Sequence, residues 1–316
     1  MLRKVWQAVM IKLARSIRCK HLMQANRASS KLAQQYVGGD TPLAAVNTAV
    51  SLSQKGISTS LFYLGEYVDT QERVAENTNA KMAVAPLLAE QHLDLHISVD
   101  PTQVGGTLDW LQGVNNITQI TKLVADLPQS SHGVHCVMLD MEDYSVNKKT
   151  IALHDYLQQN GLPVAITLQA YLRKTAKDIE KKIHQGAKVR LVKGAFSEGS
   201  ELAFQGQSEI KNNYRILIDL MLGAKAKSTG FYPIFATHDH NLHDYAIKLA
   251  RENGWDQGSY EFEMLYGARN DVAEQLAIQG ERIRLYLPFG KDWWPYAIRR
   301  IGENPRSIPL LLKSVC

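Results

Sequence analysis

Short runs of apolar and β-branched residues alternate with longer helical patterns along most of the chain. There are eight such runs, and several are apolar throughout, which is typical of parallel strands buried on both faces. Their starts are mostly about 25–40 residues apart, enough for a strand, a crossover helix and two loops. The runs lie at residues 58–65, 95–99, 134–141, 163–169, 189–194, 232–237, 260–265 and 283–287.

This repetition predicts an α/β fold of the (βα)8, or TIM-barrel, type. The alternative is a doubly wound open sheet, whose nucleotide-binding form usually carries G-x-G-x-x-G after its first strand. Gly65 follows the first run without such a cluster of glycines, which favours the barrel. We assign residues 1–50 to an N-terminal helical arm and residues 51–316 to the barrel domain.

Polar residues follow every one of the eight runs. In a (βα)8 barrel the carboxyl ends of the strands meet at one face, where active sites are built. The sequence therefore predicts a polar site at the barrel mouth. The residues at these ends include Glu66, Asp100, Thr102, Gln103, Asp140, Glu142, Asp143, Gln169, Tyr171, Arg190, Lys193, Thr237, His238, Asp239, His240, Glu263, Tyr266 and Tyr286.

Composition adds little to this picture, except in the cysteines. Hydrophobic residues make up 45% and charged residues 21% of the chain, as in an ordinary soluble globular protein. Cys19, Cys136 and Cys316 are few, widely spaced and odd in number. A disulfide framework or a structural zinc site is therefore not expected, and a reducing compartment is.

Positive charge is concentrated at the N-terminus. The net charge is +5, but residues 1–39 hold eight basic residues and no acidic ones, so the remainder carries −3. A nucleic-acid-binding body is therefore not expected. The segment has a partly amphipathic pattern without an apolar run that could span a bilayer or act as a secretory signal. It is interpreted as a helix packed on the body, a membrane-surface helix or an organelle transit peptide.

The last helical pattern presents a cluster of functional side chains on one face. Asp292 is a plausible N-cap, and Tyr296, Arg299, Arg300 and Glu303 follow at positions i, i+3, i+4 and i+7. Two guanidinium groups held side by side can grip a carboxylate through paired hydrogen bonds. An ordinary solvated face of arginine and glutamate gives the same spacing, so the pattern by itself leaves both interpretations open.

Two other strand ends carry candidate chemistry. Arg190 and Lys193, with Gly194 beside them, could hold an anionic cofactor or a ring that gains negative charge, although surface basic residues would look the same. His238 and His240, with Asp239 between them, suggest a metal-dependent hydrolase. However, the two histidines would point to opposite faces of a continuing strand, and we expect no metal site.

At these positions the sequence resembles the proline dehydrogenases, and the resemblance extends along most of the chain. It implies a distorted (βα)8 barrel whose final helix sits over the barrel mouth. It also implies bound FAD, oxidation of L-proline to Δ1-pyrroline-5-carboxylate by hydride transfer to the flavin N5, and a membrane quinone as electron acceptor. The matching segments are residues 64–66, 102–105, 139–144, 169–171, 189–195, 236–238, 262–267 and 286–305.

The resemblance also implies roles for individual residues. Arg299 and Arg300 would hold the substrate carboxylate, with Glu303 positioning them, and Arg190 would lie near N5. Glu66 would gate the empty site by pairing with Arg299. The residues expected around the substrate are Tyr286, Tyr296, Leu265, Asp140 and Asp100, and those expected to bind the cofactor are Arg190, Lys193, Gly194, Ala195, Gln169, Thr237 and His238.

Two positions depart from the family pattern. Asp100 stands where the family typically has a lysine that pairs with the acid corresponding to Asp140, and Phe196 stands where tyrosine is frequent. Two neighbouring carboxylates are expected to share a proton or to depend on the arginines of the last helix. The alternatives are therefore a different cyclic amino acid as substrate, or a barrel that has lost catalysis.

The implied quinone acceptor would give the basic arm a purpose. We expect a cytoplasmic protein with peripheral contact to the inner face of the membrane, or to the mitochondrial inner membrane in a eukaryote. The expected partners are a small amino-acid substrate and a quinone, with no nucleic acid.

Overall fold

The computed structural model describes residues 35–65, 68–131 and 133–296. Eight parallel strands close into one barrel in chain order, and the first strand pairs with the last. The prediction of a (βα)8 barrel is confirmed. The strands are β1 Ile57–Tyr63, β2 His96–Val99, β3 Cys136–Leu139, β4 Val164–Gln169, β5 Lys188–Val192, β6 Tyr232–Ala236, β7 Glu261–Leu265 and β8 Ile283–Phe289.

Helices follow the strands around the outside of the barrel. Several begin at a Thr or Asp whose side chain accepts a backbone N–H of the first turn, as at Thr41, Thr70 and Asp109. These caps fix where each helix starts after its loop. The helices are α1 Pro42–Ser53, α2 Gln71–Glu90, α3 Trp110–Asp126, α4 Tyr144–Gln159, α5 Thr175–His184, α6 Gln207–Met221, α7 Ala224–Ser228, α8 His240–Glu252 and α9 Asn270–Ile278.

A π-type turn, Thr102–Gly106, follows β2 at the mouth of the barrel. Gly105 within it has φ of +118°, a conformation that side chains rarely tolerate. The turn places Thr102 against Glu142, which follows β3, and Gln103 against Lys81 of α2.

The interior of the barrel is more polar than the sequence pattern suggested. The Nη2 of Arg190 on β5 donates to Ser98 Oγ on β2 at 2.8 Å, across the barrel. Ser98 Oγ lies 2.9 Å from Ser60 Oγ, and His96 Nδ1 lies 2.8 Å from Ser60 Oγ. The strands β2, β3 and β4 are buried on both faces as predicted, but part of their inward face is polar, and most of these buried groups hydrogen-bond to one another.

A second interior cluster lies below the first, towards the amino ends of the strands. Arg284 is fully buried on β8 and donates to Glu261 Oε1 at 2.7 Å, to Asp94 Oδ2 at 2.7 Å and to the Thr59 carbonyl at 2.8 Å. The outward faces of the strands are apolar and pack under the helices in two large clusters.

Helix α1 packs directly on the barrel. Ala45, Val46 and Ala49 are buried in the same apolar cluster as Leu287 of β8. The predicted boundary at residue 50 falls inside this helix, and the division into arm and barrel remains a prediction. Residues 1–34, which carry most of the basic arm, lie outside the described residues. Within the described ranges, no helix combines the length and apolar character needed to cross a bilayer.

Candidate active site

A cavity of about 620 Å³ opens at the carboxyl ends of the strands. It brings together most of the residues that the sequence analysis assigned to the site, from seven segments of the chain. The lining includes Asp140, Gln169, Arg190, Lys193, Gly194, Ala195, Thr237, His238, Leu265, Tyr286 and Tyr296. Asp100 is not part of this lining, and Glu66, Arg299, Arg300 and Glu303 lie outside the described residues.

Arg190 forms the floor of the cavity and is held in three directions. Its Nε donates to Glu263 Oε2 at 2.9 Å, its Nη1 to Asp140 and its Nη2 to Ser98 Oγ at 2.8 Å. The side chain is 4% exposed. Because every nitrogen has a different partner, the guanidinium plane is fixed, and its charge is directed at whatever occupies the cavity.

Asp140 connects this cation to the wall of the cavity. It accepts from Arg190, from the phenol of Tyr286 at 2.9 Å and from Thr167 Oγ1 at 3.3 Å. The Tyr286 ring packs on Phe62 with ring centres 5.2 Å apart. Burial raises the pKa of Tyr286 well above its ordinary value, as do the nearby carboxylates, so the phenol keeps its proton and remains a donor.

Glu263 is the second carboxylate on Arg190 and is almost completely buried. Its Oε1 has no hydrogen-bond partner among the described residues. If Asp140 and Glu263 were both ionised, Arg190 would balance only one of them, and the group would carry one excess negative charge away from water. Burial is the main cause that raises the pKa of Glu263 to about 7, and the Arg190 charge opposes the shift.

This raised pKa makes stability depend on pH. The unfolded chain ionises Glu263 near 4.5, whereas the folded chain holds the proton up to about 7. The contribution of protonated Glu263 to the stability of the fold is therefore fully present below pH 4.5 and is lost as the pH rises through 7. We expect that, relative to Glu263→Gln, the wild type loses on the order of 2 kcal/mol of unfolding free energy between pH 5 and pH 8.

Denaturant unfolding of both proteins at the two pH values measures this difference. The control is Glu252→Gln, which removes an exposed carboxylate paired with Lys248 at 3.7 Å. That variant should track the wild type at both pH values. A gap between wild type and Glu263→Gln that is the same at pH 5 and pH 8 would contradict the assignment.

The part of the cavity lining at the ends of β4 and β5 can accept a cofactor. Gln169 donates through Nε2 to the carbonyls of Met141 and Glu142, both at 3.2 Å, while its buried Oε1 has no partner among the described residues. Gly194 has φ of +100°, and a Cβ there would lie 2.1 Å from the Tyr171 ring. The buried free acceptor of Gln169 is suited to a planar ring that carries an N–H group, and Gly194 is required by its backbone conformation and by the packing of Tyr171.

Basic residues border this wall towards the solvent. Lys211 Nζ lies 2.8 Å and Lys193 Nζ 3.7 Å from the same carboxylate oxygen of Asp239. Both lysine side chains are more than one-third exposed. They therefore supply positive charge at the edge of the cavity that an anionic group of a ligand could use.

His238 and His243, at and after the end of β6, form hydrogen bonds with nearby backbone groups. His238 Nε2 accepts from the Leu265 amide at 3.4 Å, and His243 Nε2 donates to the Thr237 carbonyl at 2.9 Å. His240 is the first residue of α8. Within residues 35–65, 68–131 and 133–296, no three His, Cys, Asp or Glu side chains come together as a metal site would need.

Only the start of the predicted last helix is described. Residues 293–296 are helical, and Tyr296 is 7% exposed and lines the cavity. The arginine clamp itself remains a prediction.

Two contributors were missed by the sequence analysis: Ser98 holds Arg190 from inside the barrel, and Lys81 reaches the mouth from α2. Glu263 was named among the strand-end residues, but its bond to Arg190 was not foreseen. The alternation of inward-facing residues in β2 could have identified Ser98. The sequence around Lys81 contains no comparable signal.

Comparison with known proteins identifies the family of the chain. Residues 45–307 match the sequence model of a family described as proline dehydrogenase. The chain is 32% identical over 293 residues to proline dehydrogenase 2 of Bacillus subtilis (strain 168), covering 93% of each. It is 29% identical over 286 residues to the proline dehydrogenase of Deinococcus radiodurans, covering 90% of each.

Solved structures of longer proteins share the fold. Proline utilization A (PutA) from Bdellovibrio bacteriovorus, inactivated by N-propargylglycine, superposes with a TM-score of 0.77 at 21% identity over 87% of this chain. PutA from Corynebacterium freiburgense gives 0.73, also at 21% identity, over 99%. The chain spans about a third of the length of these two proteins. By its family match and its similarity to the curated relatives, the chain belongs to the proline dehydrogenase family.

Proposed function

We propose that the chain is an FAD-dependent dehydrogenase that oxidises L-proline to Δ1-pyrroline-5-carboxylate and passes the electrons to a quinone. The observation that carries the proposal is the fixed Arg190 cation at the floor of a cavity of about 620 Å³, in a member of this family. Names of the curated relatives support the reaction.

The cavity residues fit a flavin. The buried, unpartnered Oε1 of Gln169 can accept a hydrogen bond from a ring N–H of the flavin. The partly exposed ammonium group of Lys193 can pair with an anionic group of the cofactor. Gly194 lines the same part of the cavity, where its positive φ and the neighbouring Tyr171 ring exclude a side chain. Ala195, Thr237 and His238 complete the proposed binding wall. When bound, FAD supplies an acceptor for the substrate hydride at N5, which amino-acid side chains cannot provide.

Arg190 would stabilise the charge that develops in this reaction. Hydride transfer moves negative charge onto the acceptor, and a cation already fixed by Asp140, Glu263 and Ser98 does not have to reorganise to meet it. Burial opposes the charge of Arg190, but the two carboxylates raise its pKa above the ordinary value, so it stays protonated.

The substrate would be held by a different set of residues from those that bind the cofactor. In the proposal, Arg299 and Arg300 grip its carboxylate and Glu303 orients them, while Tyr286, Tyr296 and Leu265 enclose the ring. Tyr286 is already fixed by its bond to Asp140. Orientation of this kind supplies a large part of the barrier reduction when two reacting atoms must be brought close.

Asp100 and Phe196 bear on which cyclic amine is used. Phe196 lines the cavity and is 43% exposed, so no hydroxyl is offered at this position. Asp100 does not line the cavity, and burial raises the pKa of its carboxyl group well above the ordinary value, which favours the neutral acid. This favours L-proline over a substrate with an additional positive charge.

Anaerobic reduction tests the proposed function directly. The purified protein is expected to show a flavin absorption band, and L-proline should bleach it faster than hydroxyproline or piperidine-2-carboxylate at equal concentration. Re-oxidation by a soluble quinone analogue tests the acceptor. Faster bleaching by another cyclic amino acid would replace L-proline as the substrate, and a protein without flavin would contradict the proposal.

Peripheral contact with a membrane is part of the proposal because a quinone acceptor resides there. The concentration of eight basic residues in residues 1–39 supports it. Sedimentation with anionic and with neutral lipid vesicles should show binding to the anionic ones alone.

A further inference from the structure

Apolar side chains are exposed around the mouth of the cavity. Leu108 and Leu111, between the turn after β2 and the first turn of α3, are 40% and 63% exposed. Leu43, in the first turn of α1, and Phe196, after β5, are also exposed. Because α1 and α3 each lead into the start of the next strand, their first turns lie at the carboxyl-end face, beside the cavity. Single exposed leucines are ordinary, but several around one opening indicate a surface that meets an apolar partner.

Trp110 lies between the two leucines of this face and has a cation beside it. Its ring is partly buried against the backbone of Gly106, which holds it next to the turn. Lys149 Nζ of α4 lies 5.4 Å from the centre of the ring, and Lys148 and Lys149 are both exposed. Leucine and tryptophan beside lysine are typical of a surface at the level of lipid headgroups, where the lysine reaches the phosphates.

The exposed carboxylates beside Trp110 and at the start of α4 are used as helix caps. Asp109 accepts from the Leu111 amide at 3.1 Å, and Asp143 accepts from the Ser145 amide at 2.9 Å. The partial positive charge of a helix N-terminus offsets part of each negative charge. The lysines therefore complement anionic headgroups at this part of the rim.

The basic N-terminal segment joins the barrel at the same face. A Cβ on Gly267, two residues after β7, would collide with the carbonyl oxygen of Gln35, so the chain passes directly over this strand end. The Gly38 amide then donates to the Pro288 carbonyl, near the end of β8, at 2.7 Å. All eight basic residues of the segment precede Gln35 in the sequence. The chain that carries them is therefore connected to the face where the cavity opens.

We propose that the carboxyl-end face of the barrel lies against an anionic lipid bilayer, with Leu108, Trp110 and Leu111 at the headgroup boundary. We call these three residues the apolar rim. In this orientation the mouth of the cavity faces the membrane, so a quinone reaches the site without crossing bulk water. The use of the contact for quinone reduction rests on the proposed function, whereas the contact itself does not.

Vesicle binding of a double variant tests the apolar rim. Leu108→Gln/Leu111→Gln makes both side chains polar at unchanged charge. The matched control is Ile216→Gln/Ile278→Gln, which replaces isoleucines that are 52% and 85% exposed on α6 and at the end of α9, away from the mouth. With vesicles of phosphatidylglycerol and phosphatidylcholine, we expect about tenfold weaker binding for the rim variant and binding within about twofold of wild type for the control. Equal binding by the rim variant and wild type would overturn the proposal and leave the contact to residues 1–34.

Quenching by brominated phosphatidylcholine in the same vesicles locates Trp110. Trp110→Phe keeps an aromatic ring at this position, and it should remove part of the lipid-dependent quenching of tryptophan fluorescence. Identical quenching in Trp110→Phe and wild type would overturn the placement of the ring at the headgroup boundary. If a second copy of the chain covered the apolar rim instead, the rim variant would lose an oligomer seen for wild type in light scattering and would keep its vesicle binding, which would also overturn the proposal.

Two electron acceptors separate this inference from the proposed function. With a water-soluble quinone analogue, the rim variant should oxidise L-proline at the wild-type rate, because Leu108 and Leu111 do not line the cavity. With a long-chain quinone embedded in vesicles at limiting lipid, its rate should fall about tenfold, in step with binding. Wild-type rates with the embedded quinone would overturn the orientation of the mouth. Weaker vesicle binding by the rim variant of a protein that does not oxidise L-proline would retain the surface and overturn the proposed reaction.

Discussion

Replacing Arg190 by methionine is expected to lower kcat for L-proline oxidation by about 10²–10³-fold, the usual effect of removing a preorganised electrostatic donor. Methionine fills similar space but brings no charge to the floor of the cavity. The two carboxylates that Arg190 holds, Asp140 and Glu263, would then face each other without a cation. Steady-state kinetics at saturating L-proline measure the loss.

Arg190→Lys makes the test more specific. Lysine keeps the charge, but one ammonium group cannot reproduce three bonds in one plane, to Glu263, Asp140 and Ser98. We expect kcat to fall by roughly tenfold in this variant. Arg173→Met is the control, because Arg173 is exposed and packs on Phe204 away from the cavity. A kcat for Arg190→Met within threefold of wild type, at equal flavin content, would remove Arg190 from the mechanism.

The fold was predictable because the strands carry a strong local signal. The outward face of each strand is packed under helices and must be apolar, so runs such as residues 163–169 and 283–287 stand out in the sequence. Strand-end residues are equally predictable, since closing a parallel barrel brings all carboxyl ends to one face. Asp140, Arg190 and Tyr286 were found in this way, and the structure places them in direct contact.

The supporting residues were not predictable, because their roles depend on tertiary contacts. Lys81 lies in a helix with many polar residues and would be expected on its solvated face. Only the packing of α2 over Phe62 and Gln103 buries it. In the same way, the sequence showed Asp100 as an unbalanced carboxylate, whereas its burial in the fold raises its pKa well above the ordinary value and favours the neutral acid.

The polar barrel interior holds the Arg190 side chain through a chain of hydrogen bonds. Ser98 links Arg190 to Ser60 and, through it, to His96, so the cation at the floor of the cavity is anchored to β1 and β2 as well as to β7. Each of these groups is buried and bonded, and moving one would leave others unsatisfied. The polar interior thus buries less apolar surface than an apolar one would, but it fixes the orientation of the Arg190 guanidinium group.

The lower interior cluster should carry the largest stability effect in the molecule. Arg284 is fully buried, and it bonds two carboxylates and a backbone carbonyl through its three nitrogens. Arg284→Met would leave Glu261 and Asp94 without this cation, and removing one partner of a buried ion pair typically costs about 3–5 kcal/mol. We expect a loss of this size in the free energy of unfolding, measured by denaturant titration.

The matched control removes an arginine of the same type from the surface. Arg269 pairs with Asp271 at 3.0 Å, and both side chains are more than one-third exposed. Exposed pairs of this kind contribute about 0–1 kcal/mol, so Arg269→Met should leave stability nearly unchanged. Because β7 and β8 both depend on Arg284, its loss should also lower the cooperativity of unfolding. Equal losses in the two variants would show that the interior cluster stabilises the barrel no more than a surface ion pair does.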